Sequence, residues 1–312
     1  MMERMEKTRI LLVEDQLADA RLTQEALAES HAGEFDIVHV TRLQEALEHL
    51  ACEHFEALLL DLSLPDAHGL ETVIQVQRAA PGLPIVILSG TADDEALPLQ
   101  AVEAGAQDFL SKGTESGRML ARALRLAIAR KRSLDHFIHL AQHDPLTDLP
   151  NRILFQERLA RALEHAQRSE RCAALMLLDL DFFKNVNDSL GHEAGDRMLQ
   201  AIGQRLRECV RHRDTVARLG GDEFAVILED LAGSEDAAAI AEKILDAMTR
   251  TFSLDGNEVS IDASIGIVMF PDHNPDAVTL FKNADAALYQ AKRGGGHDYR
   301  FYQPPPARRM PA

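Results

Sequence analysis

The chain has 312 residues, enough for about two domains at roughly 150 residues per domain. It is 46% hydrophobic and 27% charged, which is typical of a soluble globular protein and argues against global disorder. The 50 acidic and 33 basic side chains give a net charge of −17, which disfavours non-specific binding to nucleic acid or to an anionic membrane. Any phosphate ligand must therefore be held by a local cationic group or a metal.

The first third of the chain alternates short apolar runs with amphipathic stretches. Helical patterns such as 20–28 and 95–104 separate apolar runs that begin near residues 10, 35, 57, 85 and 108. Continuous apolar runs separated by helices indicate buried parallel strands. We therefore predict an α/β domain built on a doubly wound, five-stranded parallel sheet, with a ligand site at the carboxyl ends of the strands.

Charged and hydroxyl side chains stand at those predicted strand ends. Glu14 and Asp15 follow the first strand, Asp61 ends the third, Ser89 follows the fourth and Lys112 follows the fifth. Three carboxylates repel one another unless a divalent cation lies among them. A carboxylate, a cation, a hydroxyl and an ammonium in one pocket suit phosphoryl transfer to a carboxylate oxygen.

This set of residues resembles the receiver domain of bacterial response regulators, over residues 8–128, which has a flavodoxin-like fold. The resemblance implies phosphorylation by a cognate histidine kinase, with roles for seven residues: the phosphoacceptor Asp61, the Mg²⁺ ligands Glu14, Asp15, Asp61 and (by its backbone carbonyl) Ser63, the switch pair Ser89 and Phe109, and the phosphoryl contact Lys112. The chain departs from the family at Gly113, where proline is usual, so the loop after Lys112 is expected to be looser.

A long helix is predicted over residues 117–142, where neither proline nor an internal glycine interrupts the chain. An apolar stripe recurs at spacings of three and four, at Leu120, Leu124, Ala127, Lys131, Leu134, Ile138 and Ala141. The helix either packs on its own domain or forms a stalk that pairs with a second copy, and its length favours the stalk. Asp144-Pro145 ends it.

Three histidines, His136, His139 and His143, can face one side of this helix. Such a cluster is either a metal site or a set of solvated side chains, and the solvated alternative is the commoner one. Cys52 and the other two cysteines, Cys172 and Cys209, lie far apart and form no CxxC motif, which favours reduced thiols. With no apolar run of about 18 residues and a charged segment 1–9, we expect no membrane insertion, no signal peptide and a cytoplasmic location.

The remainder of the chain has a second α/β pattern. Apolar runs are predicted as strands at 173–180, 215–219 and 224–228, with helices at 193–210, 235–248 and 276–293. Gly-Gly and Asp255-Gly256 turns indicate hairpins, so this sheet is predicted to be largely antiparallel, in an α+β domain flanked by helices. A short terminal strand follows, and the Pro-rich tail, residues 304–312, is expected to be disordered.

A second acidic site is predicted around Asp179 and Asp222. Asp179 starts a polar segment at the end of an apolar strand, and Asp222 lies in the turn Gly220-Gly221-Asp222-Glu223. If the two strands are neighbours, the two aspartates face each other and can share Mg²⁺, the arrangement for in-line nucleotidyl transfer. Taken alone, the Gly220-Gly221-Asp222-Glu223 turn has a second interpretation, as an ordinary hairpin turn.

Residues 143–303 resemble the diguanylate cyclases of the GGDEF family, which have a palm-like nucleotidyl-cyclase fold. The opening motif at 144–152 has Asp148 where glycine is usual, and Gly296 stands where a phosphate-binding arginine is frequent. The resemblance implies Mg²⁺ or Mn²⁺ and assigns these roles: metal ligands Asp179, Leu180 (backbone) and Asp222, a catalytic carboxylate Glu223, guanine contacts Asn187 and Asp196, and phosphate contacts Phe182, Phe183, Lys184 and Lys292.

Arg211 and Asp214 form an RxxD pattern nine residues before Gly220, at the spacing of the family's inhibitory product site. An arginine fork and a carboxylate can bind guanine and phosphate, whereas an isolated RxxD is commonly a surface salt bridge, and the offset favours the product site.

The resemblance implies a phosphorylation-regulated cyclase that condenses two GTP into cyclic di-GMP and two pyrophosphates as a homodimer, with product inhibition. A non-catalytic receptor for cyclic di-GMP or GTP is the main alternative. A DNA-binding response regulator is disfavoured by the net charge of −17.

Overall fold

A computed structural model describes residues 7–30, 34–90, 97–112, 117–254, 257–271 and 276–304. The chain divides into two compact units, Met1–Phe137 and Ile138–Ala312. The predictions for Gly113 and for the tail beyond residue 304 lie outside the described residues. Within the described residues, no helix is both long and apolar enough to cross a membrane.

The first unit is a doubly wound α/β domain, which confirms the predicted fold. Its elements are, in chain order, β1 (Thr8–Val13), α1 (Leu17–Ser30), β2 (Phe35–Val40), α2 (Leu43–Cys52), β3 (Ala57–Asp61), α3 (Glu71–Ala79), β4 (Ile85–Ser89), α4 (Leu97–Glu103), β5 (Asp108–Ser111) and α5 (Gly117–Gln142). The strands pair in parallel in the order β2-β1-β3-β4-β5.

Both faces of this sheet are covered, because apolar side chains point alternately to the two sides of each strand. Leu11 and Val13 belong to the core on one face, whereas Ile10 and Leu12 belong to the core on the other. This two-sided burial explains why the strands are continuous apolar runs, and it leaves the polar strand ends as the place for chemistry.

Helix α5 has the bounds that the sequence predicted. Its first turns are buried in the first unit through residues such as Leu120, Leu124 and Ala127. Farther along, large apolar side chains lie in solvent, with Leu134 56%, Phe137 66% and Ile138 46% exposed. The helix therefore has two different segments, the second of which carries an apolar surface that nothing in the described chain covers.

The second unit is an α+β domain. Beyond the last residues of α5 it contains α6 (Arg152–Ser169), β6 (Cys172–Asp181), α7 (Phe183–Leu190), α8 (His192–Cys209), β7 (Thr215–Gly220), β8 (Glu223–Leu231), α9 (Ser234–Thr249), β9 (Phe252–Leu254), β10 (Asn257–Val259), β11 (Asp262–Phe270), α10 (Ala277–Arg293) and β12 (Tyr299–Phe301).

The main sheet of this unit has the order β12-β11-β6-β8-β7. Three of its pairings are antiparallel, as predicted, and β12 adds a parallel strand at the edge. The short strands β9 and β10 pair separately as a hairpin, which confirms the predicted hairpin, although Asp255 and Gly256 themselves lie outside the described residues. Apolar clusters cover both faces of β6, so this strand is central and presents polar residues only near its end.

Candidate functional site

Three carboxylates meet at the carboxyl ends of β1 and β3 in the first unit. Ligand oxygens of Glu14, Asp15 and Asp61 all lie within 4.8 Å of one another, and Glu14 and Asp61 are only 1% and 3% exposed. Oδ1 of Asp15 is buried and accepts no hydrogen bond from any described residue. A buried cluster of oxygen donors with an oxygen left unpaired fits a hard divalent cation such as Mg²⁺.

Lys112 holds this carboxylate cluster together. Its Nζ lies 2.5 Å from Glu14, 2.6 Å from Asp61 and 3.5 Å from Asp19. Burial raises the pKa of Glu14, and Lys112 opposes that shift. Burial alone would lower the pKa of Lys112, but the hydrogen bonds to Asp61 and Glu14 outweigh it and the net pKa is raised. The ammonium therefore stays charged among the carboxylates.

The other predicted receiver residues lie around Asp61. The amide of Ser63 donates to Oδ1 of Asp61 at 3.1 Å. Ser89 ends β4 and is buried, and its carbonyl accepts a hydrogen bond from the Lys112 amide at 2.8 Å. Phe109 pairs with Ile87 in the sheet and packs against the core of one face. The structure thus brings the predicted phosphoacceptor, lysine and serine to one edge of the sheet.

In the second unit, β6 and β8 are neighbours, and Glu223 stands directly opposite Asp179 in their register. Gly220 and Gly221 have φ values of 142° and 54°, which make the hairpin between β7 and β8 tight. Asp222 is at the tip of that hairpin. The strands are neighbours, as the prediction for Asp179 and Asp222 required, and Asp222 precedes the residue that is opposite Asp179 in the ladder.

Lys292 reaches the same site from the last turn of α10. Its Nζ lies 2.5 Å from Oδ1 of Asp179. Burial raises the pKa of Asp179, the charges of Asp222 and Glu223 add to the shift, and Lys292 opposes it. Leu180, the next residue of β6, is buried. An aspartate beside two further carboxylates, with a lysine bound to it, fits a site that binds cations and phosphate.

The predicted phosphate contacts lie at the start of α7. Phe182 has a φ of 60° and a side chain 78% exposed, and Phe183 is buried below it. No side chain caps this helix, and only the amide of Asn185 in its first turn donates to a described backbone group, the carbonyl of Phe182 at 2.8 Å. The amides of Phe183 and Lys184 are therefore available to an anion, and the exposed side chain of Lys184 adds a positive charge there.

The two predicted guanine contacts lie on adjacent helices, Asn187 on α7 and Asp196 on α8. Asp196 is exposed, and Asn187 is half-buried. Gly195 lies against Asn187: a Cβ added at Gly195 would overlap Oδ1 of the amide and lie 3.3 Å from the ring of Phe183. The sequence analysis missed Gly195, whose only signal was a glycine inside a helical pattern next to a candidate ligand.

Arg218 is a second residue that the sequence analysis missed. Its guanidinium donates to both carboxylate oxygens of Asp144, at 2.9 and 3.0 Å, and to the carbonyl of Gly221, at 3.0 and 2.8 Å. Burial raises the pKa of Asp144, but hydrogen bonds from Thr147 and Arg218 outweigh it and hold the pKa below its ordinary value. Arg218 therefore connects the opening motif to the Gly-Gly turn.

Asp181 explains why glycine is suited to position 296. The carboxylate of Asp181 accepts hydrogen bonds from Oγ of Ser264, at 2.9 and 3.0 Å, and from the amide of His297, at 3.0 Å. Gly296 has a φ of 77°, and a Cβ there would lie 2.9 Å from Oδ2 of Asp181. An arginine at this position would be strained and would displace Asp181.

The structure gives Arg211 and Asp214 different surroundings. Asp214 is buried, and its two oxygens accept hydrogen bonds from the amides of Arg211, at 2.9 Å, and Glu229, at 3.2 Å. Arg211 is exposed and lines a cleft of about 600 Å³ together with Arg171 and Arg213. Asp214 shapes the backbone of this turn, and the arginines bring positive charge to the cleft.

The comparisons with known proteins agree with both units. Residues 141–298, about half of the chain, match the family described as "Diguanylate cyclase, GGDEF domain". Residues 10–124 match the family described as "Response regulator receiver domain". The two domains follow one another in the predicted order.

The curated relatives resemble half or more of the chain. It is 43% identical over 186 residues to the bifunctional diguanylate cyclase/cyclic di-GMP phosphodiesterase MucR of Pseudomonas aeruginosa, covering 60% of this chain and 27% of MucR. It is 47% identical over 156 residues to the diguanylate cyclase TpbB of Pseudomonas aeruginosa strain UCBPP-PA14, covering 50% of this chain and 36% of TpbB. The chain thus spans only about a quarter to a third of these relatives.

A solved structure of the GGDEF domain of TpbB from Pseudomonas aeruginosa PAO1 is also similar. It has 45% sequence identity and a TM-score of 0.51, and the match covers 52% of this chain and 94% of that one.

Proposed function

Since this chain belongs to the GGDEF family and carries a response regulator receiver domain before the GGDEF domain, we propose that it is a phosphorylation-regulated diguanylate cyclase. It condenses two GTP into cyclic di-GMP and two pyrophosphates. The observation that carries this proposal is the group formed by Asp179, Asp222, Glu223 and Lys292 at the Gly-Gly turn, where a half-buried aspartate and two neighbouring carboxylates meet an ammonium.

The carboxylates of this group fit Mg²⁺ or Mn²⁺. Asp179, Asp222 and the backbone carbonyl of Leu180 would hold the metal, which when bound neutralises charge on the α-phosphate and lowers the pKa of a hydroxyl. Burial and the charges of Asp222 and Glu223 together raise the pKa of Asp179, which supports this use, because a divalent cation would stabilise the ionised carboxylate.

The residues around α7 would bind GTP. Asn187 and Asp196 supply an amide and a carboxylate, which can pair with the O6 acceptor and the N1–H and N2–H donors of guanine. The amides at Phe182, Phe183 and Lys184 form an uncapped helix start that suits the β- and γ-phosphates. Lys292 would move its charge from Asp179 to the triphosphate when substrate and metal arrive.

The reaction balances as two identical steps. In each, the 3′-hydroxyl oxygen of one GTP bonds to the α-phosphorus of the other, the bond from that phosphorus to the oxygen bridging to the β-phosphate breaks, and pyrophosphate leaves. The proton of each hydroxyl passes to solvent or to Glu223, whose side chain is 54% exposed and stands opposite Asp179. The role of this chain is to hold its nucleotide with the hydroxyl and the phosphorus accessible.

One GGDEF domain offers one GTP site, so we propose that catalysis takes place in a homodimer. Leu134, Phe137 and Ile138 form an exposed apolar surface on α5. This surface supports a second copy of the chain as the partner, because pairing two such helices removes the apolar side chains from water. Pairing the helices makes the encounter of the two nucleotides intramolecular.

We propose that phosphorylation controls this pairing. Asp61 would accept a phosphoryl group from a cognate histidine kinase in the cytoplasm, with Glu14, Asp15 and the carbonyl of Ser63 around Mg²⁺. Lys112 and Ser89 would then bind the phosphoryl oxygens, and Phe109 would follow Ser89 inward. The close contact of Lys112 with Asp61 supports the first part of this mechanism.

Cyclic di-GMP formation by the purified full chain tests the proposal. With GTP and Mg²⁺, we expect the parent to make cyclic di-GMP and Asp222→Ala to lose turnover by orders of magnitude while keeping its fold, because the residue is a turn tip that binds metal. Asp188→Ala, an exposed carboxylate on α7, is the matched control. A parent that binds cyclic di-GMP or GTP but yields no product would favour the receptor alternative.

A further inference from the structure

Two histidines near the end of α5 lie against each other. The rings of His139 and His143 stack, with centroids 4.0 Å apart and 14° between their planes. Nδ1 of His143 lies 3.2 Å from the carbonyl oxygen of His139. A proton on that Nδ1 completes a hydrogen bond and leaves Nε2 of His143 with a free lone pair.

Asp148 brings a carboxylate to the same pair. Its Oδ1 lies 2.6 Å from Nε2 of His139. The backbone of Asp148 has a φ of 57°, a left-handed conformation that favours glycine. Its amide donates to the carbonyl of Asp144 at 2.9 Å, and its own carbonyl accepts from Arg207 at 2.7 Å. These bonds hold an aspartate in a conformation that glycine would adopt more easily, beside two imidazoles.

We propose that His139, His143 and Asp148 bind a first-row transition metal ion such as Zn²⁺. Histidines four residues apart on a helix present two imidazoles to one ion, and a carboxylate is a usual third ligand. His139 and Asp148 are 46% and 69% exposed, so the ion can enter, and water completes the tetrahedron. The sequence alone favoured solvated histidines, and the structure adds the third ligand.

The three donors are close but not assembled. Their ligand atoms do not all lie within 4.8 Å of one another, so the half-buried His143 must rotate about its side-chain bonds when the ion binds. The ion would also replace the direct contact between His139 and Asp148. The rotation exchanges the stacking and the hydrogen bond of His143 for a bond to the ion, whereas the backbone positions of all three residues are already set by the helix end and the loop.

The position of this site gives it a structural consequence. It connects the last turns of α5 to the opening motif of the GGDEF domain, where Asp144 pairs with Arg218. A bound ion would cross-link these two segments and stabilise the second unit, because the ion binds only the folded arrangement.

Zinc titration calorimetry on the untagged full chain tests the proposal, with excess Mg²⁺ present to occupy carboxylate clusters. The parent is compared with His143→Gln, Asp148→Gly and the control His212→Gln, an exposed histidine elsewhere in the same unit. We expect each of the two site variants to bind one zinc ion fewer than the parent, or to bind it with an affinity at least about tenfold lower. Removing a residue that only hydrogen-bonds a metal ligand already lowers metal affinity by about tenfold or more, and these residues are proposed as ligands themselves.

Asp148→Gly keeps the test independent of folding, because glycine relieves the left-handed backbone at this position. Zinc should raise the thermal midpoint of the parent and of His212→Gln, and it should leave that of Asp148→Gly unchanged. If the parent, His143→Gln and Asp148→Gly bind zinc with the same stoichiometry and affinity, the three residues are an exposed hydrogen-bonded cluster and the proposal is wrong.

Discussion

Arg218 and Asp144 form a two-fold hydrogen-bonded ion pair across 74 residues of chain, and their side chains are only 11% and 16% exposed. The same guanidinium donates to the carbonyl of Gly221. One largely buried arginine therefore links the segment that follows α5 to the turn that carries Asp222.

Replacing Arg218 with methionine should destabilise the second unit by about 3 kcal/mol or more, because Asp144 would remain buried without its partner. Urea unfolding followed by tyrosine fluorescence measures this selectively, since the three tyrosines, 289, 299 and 302, all belong to the second unit and the chain has no tryptophan. Arg213→Met breaks a more exposed pair with Asp230 and should cost less than about 1 kcal/mol. Equal losses would contradict the bridging role.

The same pair predicts a pH dependence. Because the pKa of Asp144 is lowered in the folded state, its stabilisation is present above its ordinary value of about 3.9 and is lost as pH falls through the folded pKa. The unfolding free energies of the parent and of Asp144→Asn should therefore differ most near neutral pH and converge as the pH falls below about 3.9 and through the folded pKa. A difference that is constant between these pH values would mean that the carboxylate is not what stabilises the turn.

Gly195→Ala should weaken GTP binding without unfolding the protein. The added methyl group overlaps the amide of Asn187 and displaces it from its place beside the helix. Losing one hydrogen bond of about 0.5–1.5 kcal/mol should raise KM for GTP roughly two- to tenfold and change kcat little. Gly233→Ala, where nothing lies within 4 Å of the added Cβ, is the control. An unchanged KM would remove Asn187 from the guanine site.

Beryllofluoride, a phosphoryl mimic, should raise the rate of cyclic di-GMP formation, and Asp61→Asn should abolish that response. The added charge at the carboxyl end of β3 would draw Lys112 away from Glu14 and Ser89 inward. The exposed Asp36→Asn on β2 should respond like the parent. Rates that are the same with and without the mimic, in a protein shown to carry it, would mean that the receiver does not control the cyclase in this way.

Arg211 and Asp214 should give different phenotypes. Arg211→Ala should weaken cyclic di-GMP binding by about one to two orders of magnitude and leave stability unchanged, because the exposed guanidinium contributes charge-assisted bonds of roughly 1.5–3 kcal/mol. Asp214→Ala should lower the unfolding free energy, since the amides of Arg211 and Glu229 lose their acceptor. Calorimetry with cyclic di-GMP and urea unfolding separate the two, and a stable Asp214→Ala would contradict this assignment.

The sequence predicted the fold best where buried strands appear as continuous runs of apolar residues. Strands such as β3 and β4 are buried on both faces, so their apolar runs predicted both their position and their parallel pairing. The cluster around Asp61 followed from the same pattern, since the ends of parallel strands must converge. These predictions needed only short-range information.

Other features depend on contacts between distant segments, which leave no local pattern. The pairing of β6 with β11 places Asp181 opposite Asp262, and nothing near either residue indicates the other. The burial of Asp214 was missed for the same reason, because a carboxylate in a polar loop gives no sign that backbone amides surround it. The direct pairing of Glu223 with Asp179 in the ladder likewise depended on the register between β6 and β8.

The three-residue strand β12 has a practical consequence for shortened or fused forms of this protein. It pairs with residues 265–267 at the outer edge of β11, and the amide of Tyr302 donates a further hydrogen bond to the carbonyl of Ile267 at 2.7 Å. Ending the chain after α10 would leave the nine residues of β11 as an open edge, ready to pair with another molecule. Such truncations should aggregate even with every proposed catalytic residue present, so a purification tag belongs after residue 304 and not in place of β12.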